Sequence, residues 1–76
     1  MIQELDVVVL VVDVAEHGLK AGDVGAVVYV HGNGAAFEVE FVSLTGRTLA
    51  LATVAAADLR RTEALDLMHV RELRAA

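Results

Sequence analysis

The chain of 76 residues contains no cysteine, no proline and no tryptophan, and only three aromatic residues, Tyr29, Phe37 and Phe41. Without cysteine there is no disulfide scaffold, thiolate zinc site, iron–sulfur cluster or cysteine nucleophile. Three aromatics cannot line a groove for proline-rich peptides, form a methyl-lysine cage or build a stacking platform for single-stranded nucleic acid. Long apolar runs are missing as well. The longest, from Val7 to Val12, is six residues, against the roughly 20 of a spanning helix. The first basic residue is Lys20, so no basic n-region of a signal peptide opens the chain. The expectation is a single small soluble domain over residues 1–76 with a cytoplasmic address.

What is present is apolar and acidic. Hydrophobic residues make up 57% of the chain and charged residues 22%, which excludes wholesale disorder. The formal net charge is −5. Through residue 45 there are seven acids and one base, a balance of −6; beyond it, Arg47, Arg60, Arg61, Arg71 and Arg74 face four acids, a balance of +1. A chain so charged repels phosphate; its acids keep a very apolar small protein soluble, or attract basic protein surfaces.

Fourteen valines and closely spaced turn signals favour strands. Val7 to Val12 is apolar on both faces, which marks a strand covered on both sides, within one barrel or by a second subunit. A loop with Gly18 and Gly22 follows. Residues 24–30 read as the second strand, in which Gly25 signals a bulge or a close backbone approach. His31-Gly32-Asn33-Gly34 reads as a hairpin, with Asn-Gly supplying two central residues of positive φ. Phe37, Val39 and Phe41 then alternate with Glu38 and Glu40, the clearest period of two in the chain. After the turn Ser43-Leu44-Thr45-Gly46, residues 47–54 form the fourth strand, with Leu49 and Leu51 expected inward. Residues 55–59 suit a single helical turn. In the tail, residues 62–76, Leu65, Met68 and Glu72 would place a stripe on a helix, while Leu65, Leu67 and Leu73 suit a strand, and the strand, over residues 67–73, is the preferred reading. The expected core is Leu10, Val28, Phe37, Val39, Phe41, Leu49 and Leu51. About five strands in so short a chain close most economically as an all-β, small, partly open barrel.

The run Gly18-Leu19-Lys20-Ala21-Gly22-Asp23-Val24-Gly25 is similar to the opening of KOW and other SH3-like barrel motifs. Taken with Phe37-Glu38-Val39-Glu40-Phe41, Gly46-Arg47-Thr48 and Leu59-Arg60, the chain resembles a family of short bacterial proteins that carries only a domain-of-unknown-function label. The resemblance implies an SH3-like barrel of about five strands with one short helical turn. It implies no catalytic residue and no cofactor, and it suits an antitoxin-like or immunity-like role beside a small protein partner.

Candidate sites are few. His17, His31 and His69, with Asp13 and Glu16, match no metal-ligand spacing. Ser43 lacks a Gly-x-Ser-x-Gly frame, and Gly32-Asn33-Gly34 lacks the lysine and helix of a phosphate loop. Glu38 and Glu40 project from one strand face, as a solvated face or as an acidic docking surface. Arg60 and Arg61 suit surface pairs with Asp58 or Glu63, or contacts to an acidic partner. These four residues are the candidate partner-binding set. The expected function is a non-catalytic protein-binding module, completed by a partner or by self-association. The alternative, KOW-like nucleic-acid or ribosome-associated binding, requires the five arginines to converge on one face.

Overall fold

The computed structural model describes residues 1–73. Five strands, β1 (Val7–Leu10), β2 (Val24–His31), β3 (Ala36–Val42), β4 (Thr48–Ala55) and β5 (Leu59–Arg61), form one antiparallel sheet in the order β4-β3-β2-β1-β5. Single 3-10 turns lie at Ala15–His17 and Ala56–Asp58. This order, with a 3-10 turn leading into a short last strand, is that of an SH3-like, partly open barrel, as expected. No helix among the described residues is long and apolar enough to cross a membrane.

The fifth strand is not where the sequence places it. Residues 67–73 form neither strand nor helix. β5 instead follows the Ala56–Asp58 turn at once, because that turn delivers Leu59 opposite Leu10 and lets Val11 N–H donate to the Asp58 carbonyl. Three residues suffice for the pairing, and the chain beyond them is free to lie elsewhere.

Phe37, Val39 and Phe41 enter the core with Val8, Leu10, Leu19, Val27, Ala52, Val54 and Leu59. Leu49, Leu51 and Val28, expected inside, are exposed. Directly paired residues share a face of the sheet. Ala50 pairs with Phe41, Ala52 with Val39 and Val54 with Phe37, so these follow the phenylalanines inward; Leu51 pairs with Glu40 and follows it out. The small alanines leave the volume the two phenyl rings fill. Leu49 is the extra residue where the β3–β4 register shifts, and Val28 is its counterpart in β2.

Gly25 marks a close approach, while the bulge falls at Val28. A Cβ on Gly25 would stand 2.6 Å from Val39 Cγ1 and 2.8 Å from the Glu40 carbonyl oxygen. At the β2–β3 hairpin, the positive φ angles belong to Gly32 (57°) and Gly34 (92°), not to Asn33. The loop is accordingly longer than a two-residue Asn-Gly turn, with Gly34 and Ala35 N–H both donating to the His31 carbonyl.

The expectation that β1 is covered on both sides holds at its centre. Val8 and Leu10 belong to the core cluster, whereas Val9 lies outside it and is still only 6% exposed. Strand alternation puts Val9 on the opposite face, where its neighbours in register are Arg60 and Val24. Residues 62–73, the strap, are anchored on both sides of it, at Arg60 through Asp66 and at Asp23 through His69 and Arg71. The chain's own C-terminal segment is thus tied to the residues that flank β1, at Arg60 in β5 and at Asp23 ahead of β2.

Candidate functional site

The residues singled out by sequence fall on separate surfaces. Glu38 and Glu40 lie on the outer face of β3. Glu38 Oε2 accepts from the Thr53 hydroxyl and lies 2.7 Å from His31 Nε2; Glu40 Oε2 accepts from the Thr48 hydroxyl at 2.6 Å. The Thr53 hydroxyl, then the His31 ring, hold the Glu38 carboxyl below the usual carboxylate range. Tyr29, opposite Glu38 in register, meets the His31 ring edge-on at a centroid distance of 4.9 Å. Leu51, on the other side of Glu40, is 54% exposed, and Tyr29 is 53% exposed. The face thus combines carboxylates held by cross-strand hydrogen bonds with large apolar side chains left in solvent.

Arg60 and Arg61, in β5, are separated from β3 by two strands, β2 and β1, and do not join that face. Arg60 forks Asp66, Nη1 to Oδ2 at 2.9 Å and Nη2 to Oδ1 at 3.0 Å, with Glu63 at 3.7 Å. Its hydrogen bonds with Asp66 raise the Arg60 pKa and lower that of Asp66. Arg61 Nε stands 3.8 Å from Asp6 Oδ2. Arg71 is engaged by Asp23, and Arg74 lies outside the described residues. Three of the five arginines required by the nucleic-acid alternative are therefore committed to carboxylates of the same chain.

Among the described residues no group of three or more histidine, cysteine, aspartate and glutamate side chains could hold a metal ion. The Ser43 hydroxyl accepts from Arg47 N–H at 3.1 Å and shares a hydrogen bond with Thr45 at 2.9 Å, the role of a turn residue.

The best-built polar site was not a sequence candidate. Asp23, just ahead of β2, has a side chain only 10% exposed. Its Oδ1 accepts from Arg71 Nε at 2.8 Å and lies 2.9 Å from His69 Nε2; its Oδ2 accepts from Arg71 Nη2 at 2.5 Å and from Lys20 N–H at 2.8 Å. Arg71 Nη2 also donates to the Gly18 carbonyl at 2.9 Å. Burial pushes the Asp23 carboxyl up, but the hydrogen bonds from Arg71, Lys20 and His69 outweigh it and bring it to about 2. Gly22-Asp23 was legible as a turn. Nothing local links it to an arginine 48 positions later.

Beside this site runs a largely apolar groove of about 630 Å³, walled by Leu19, Val24, Phe41, Leu44 and Leu49 on one side and by the strap from Met68 to Leu73 on the other.

Residues 4–61 match the model of a family described as a domain of unknown function, DUF4926, and the chain belongs to that family. No curated protein and no solved structure matches it. The matched region ends with β5, so the strap lies beyond it.

Proposed function

We propose that this domain is a non-catalytic protein-binding module that docks a basic protein surface on the outer face of β2, β3 and β4. The observation that carries the reading is the exposure of Tyr29 and Leu51 on either side of the Glu38–Glu40 pair. Large apolar side chains grouped on a solvent face are the usual mark of an interaction surface. Carboxylates among them add charge complementarity, which steers encounter and selects a basic partner. The −5 net charge supports the same choice. An antitoxin-like or immunity-like role belongs to this proposal, since a domain acting by occlusion needs a complementary face and no reactive group.

The test is affinity capture from the source cell by the natural chain and by a Glu38→Arg/Leu51→Asp variant, with nuclease treatment in parallel. The expected result is one stoichiometric basic protein, indifferent to nuclease and lost with the variant. Capture that survives the variant would overturn the assignment to this face. Capture that disappears with nuclease would favour the nucleic-acid reading.

A further inference from the structure

The strap sits on the domain in the manner of a bound peptide. Among the described residues, 67–71 form no backbone hydrogen bond to the domain; the hold there is through the side chains of Arg71 and His69. Three acceptors, both Asp23 oxygens and the Gly18 carbonyl, converge on the Arg71 guanidinium. A planar cation with donors in a fixed fork is what such a set selects, and a lysine ammonium cannot reproduce it. Two residues on, half-buried Leu73 lines the apolar groove. Leu67, by contrast, is 91% exposed and Met68 and Val70 are also largely in solvent. The domain therefore reads an arginine, with a histidine two positions before it on the same carboxylate and an apolar residue two positions after it.

We propose that the acceptor set of Asp23 and the Gly18 carbonyl is an arginine-reading peptide site, that the strap is its resident occupant, and that a segment of a partner protein carrying arginine two residues before an apolar side chain displaces it. Charge decides between a partner and a second copy: residues 1–45 carry a balance of −6 and draw a basic segment, whereas another copy of the chain brings −5. This site is separate from the Glu38–Glu40 face, and neither proposal depends on the other. Because the strap is tethered, a free peptide competes against a high effective concentration, so the site binds measurably once the resident arginine is removed.

The probe is a labelled peptide with the sequence of residues 66–73, titrated by fluorescence anisotropy into the full chain. The Arg71→Ala chain is expected to bind it at least about ten-fold more tightly than the natural chain does. Binding should fall by about ten-fold or more when the peptide itself carries Arg71→Ala, or when Asp23→Asn is added to the Arg71→Ala chain. Glu38→Arg should leave it unchanged. If Arg71→Ala does not fold, Arg71→Lys, which keeps the charge and loses the fork, serves in its place. If neither folds, the natural chain is titrated to saturation while the Arg71 side-chain N–H resonance is followed, and release of that resonance is expected. Absence of binding to a folded variant, binding indifferent to the peptide arginine, or an unmoved Arg71 resonance would each overturn the proposal. A dimer of the natural chain that is lost on Asp23→Asn would also overturn it, and would assign the site to strap exchange between copies.

Discussion

Arg71 and Asp23, 48 positions apart in the chain, are joined by a two-pronged contact, Nε to Oδ1 at 2.8 Å and Nη2 to Oδ2 at 2.5 Å. The carboxylate is nearly buried and the guanidinium half-buried. This contact is the strap's second anchor, the first being the Arg60–Asp66 pair.

Removing one side of that contact leaves the other charge buried with fewer partners, which costs more than the loss of an exposed pair. Arg71→Ala is expected to lower Tm by roughly 5–10 °C, whereas Arg60→Ala, at a pair more open to solvent, should stay within about 3 °C of the natural chain. Thermal melts followed by circular dichroism check both.

The same contact sets an acid response. The Asp23 carboxyl is lowered from 3.8 to about 2 in the folded chain, so its contribution is fully present above the unfolded value and is lost as pH falls through about 2. The difference corresponds to about 2 kcal/mol. Urea unfolding at pH 7, 4 and 2 should show that much less stability at pH 2 from this group. The Asp23→Asn chain should show a correspondingly smaller fall over the interval.

Phe41→Ala and Leu51→Ala separate the two faces of the β3–β4 pair. Phe41 is buried and Leu51 is not. Emptying the phenylalanine site costs about 3–5 kcal/mol, comparable with the whole stability of a domain this small, roughly 5 kcal/mol. The Phe41→Ala chain is expected to be unfolded at 37 °C, while Leu51→Ala changes stability by less than about 0.5 kcal/mol. A cooperative melt of Phe41→Ala above 37 °C would remove Phe41 from the core.

Gly25→Ala tests the close approach of β2 to β3. The added methyl group meets the Glu40 carbonyl oxygen at 2.8 Å, a backbone atom held in the β2–β3 pairing, so β2 must shift away from β3. The expected loss is about 2–3 kcal/mol in urea unfolding, in the range of core overpacking.

The first four strands, the Phe37-Val39-Phe41 face, the places of the turns between them and the burial of β1 on both sides were legible in the sequence because each rests on local chemistry: a period of two, a glycine in a turn, an apolar run. The fifth strand, at Leu59–Arg61 and not at 67–73, was set by its pairing with β1. A small, partly open barrel follows from the number and spacing of the strands, and its SH3-like form from the resemblance carried by Gly18 to Gly25. Local period leaves open which alternate set of a strand faces in. For β4 that choice came from its pairing with β3, where Ala50 and Ala52 oppose Phe41 and Val39 and the leucines are turned out. The candidate site divided in the same way. Glu38 and Glu40 share a strand, so their common face was readable, but the hydroxyls that hold them come from β4. The Asp23–Arg71 contact joins chain positions that no short-range pattern relates, and only the return of the strap to the start of β2 brought the carboxylate and the guanidinium to the same place.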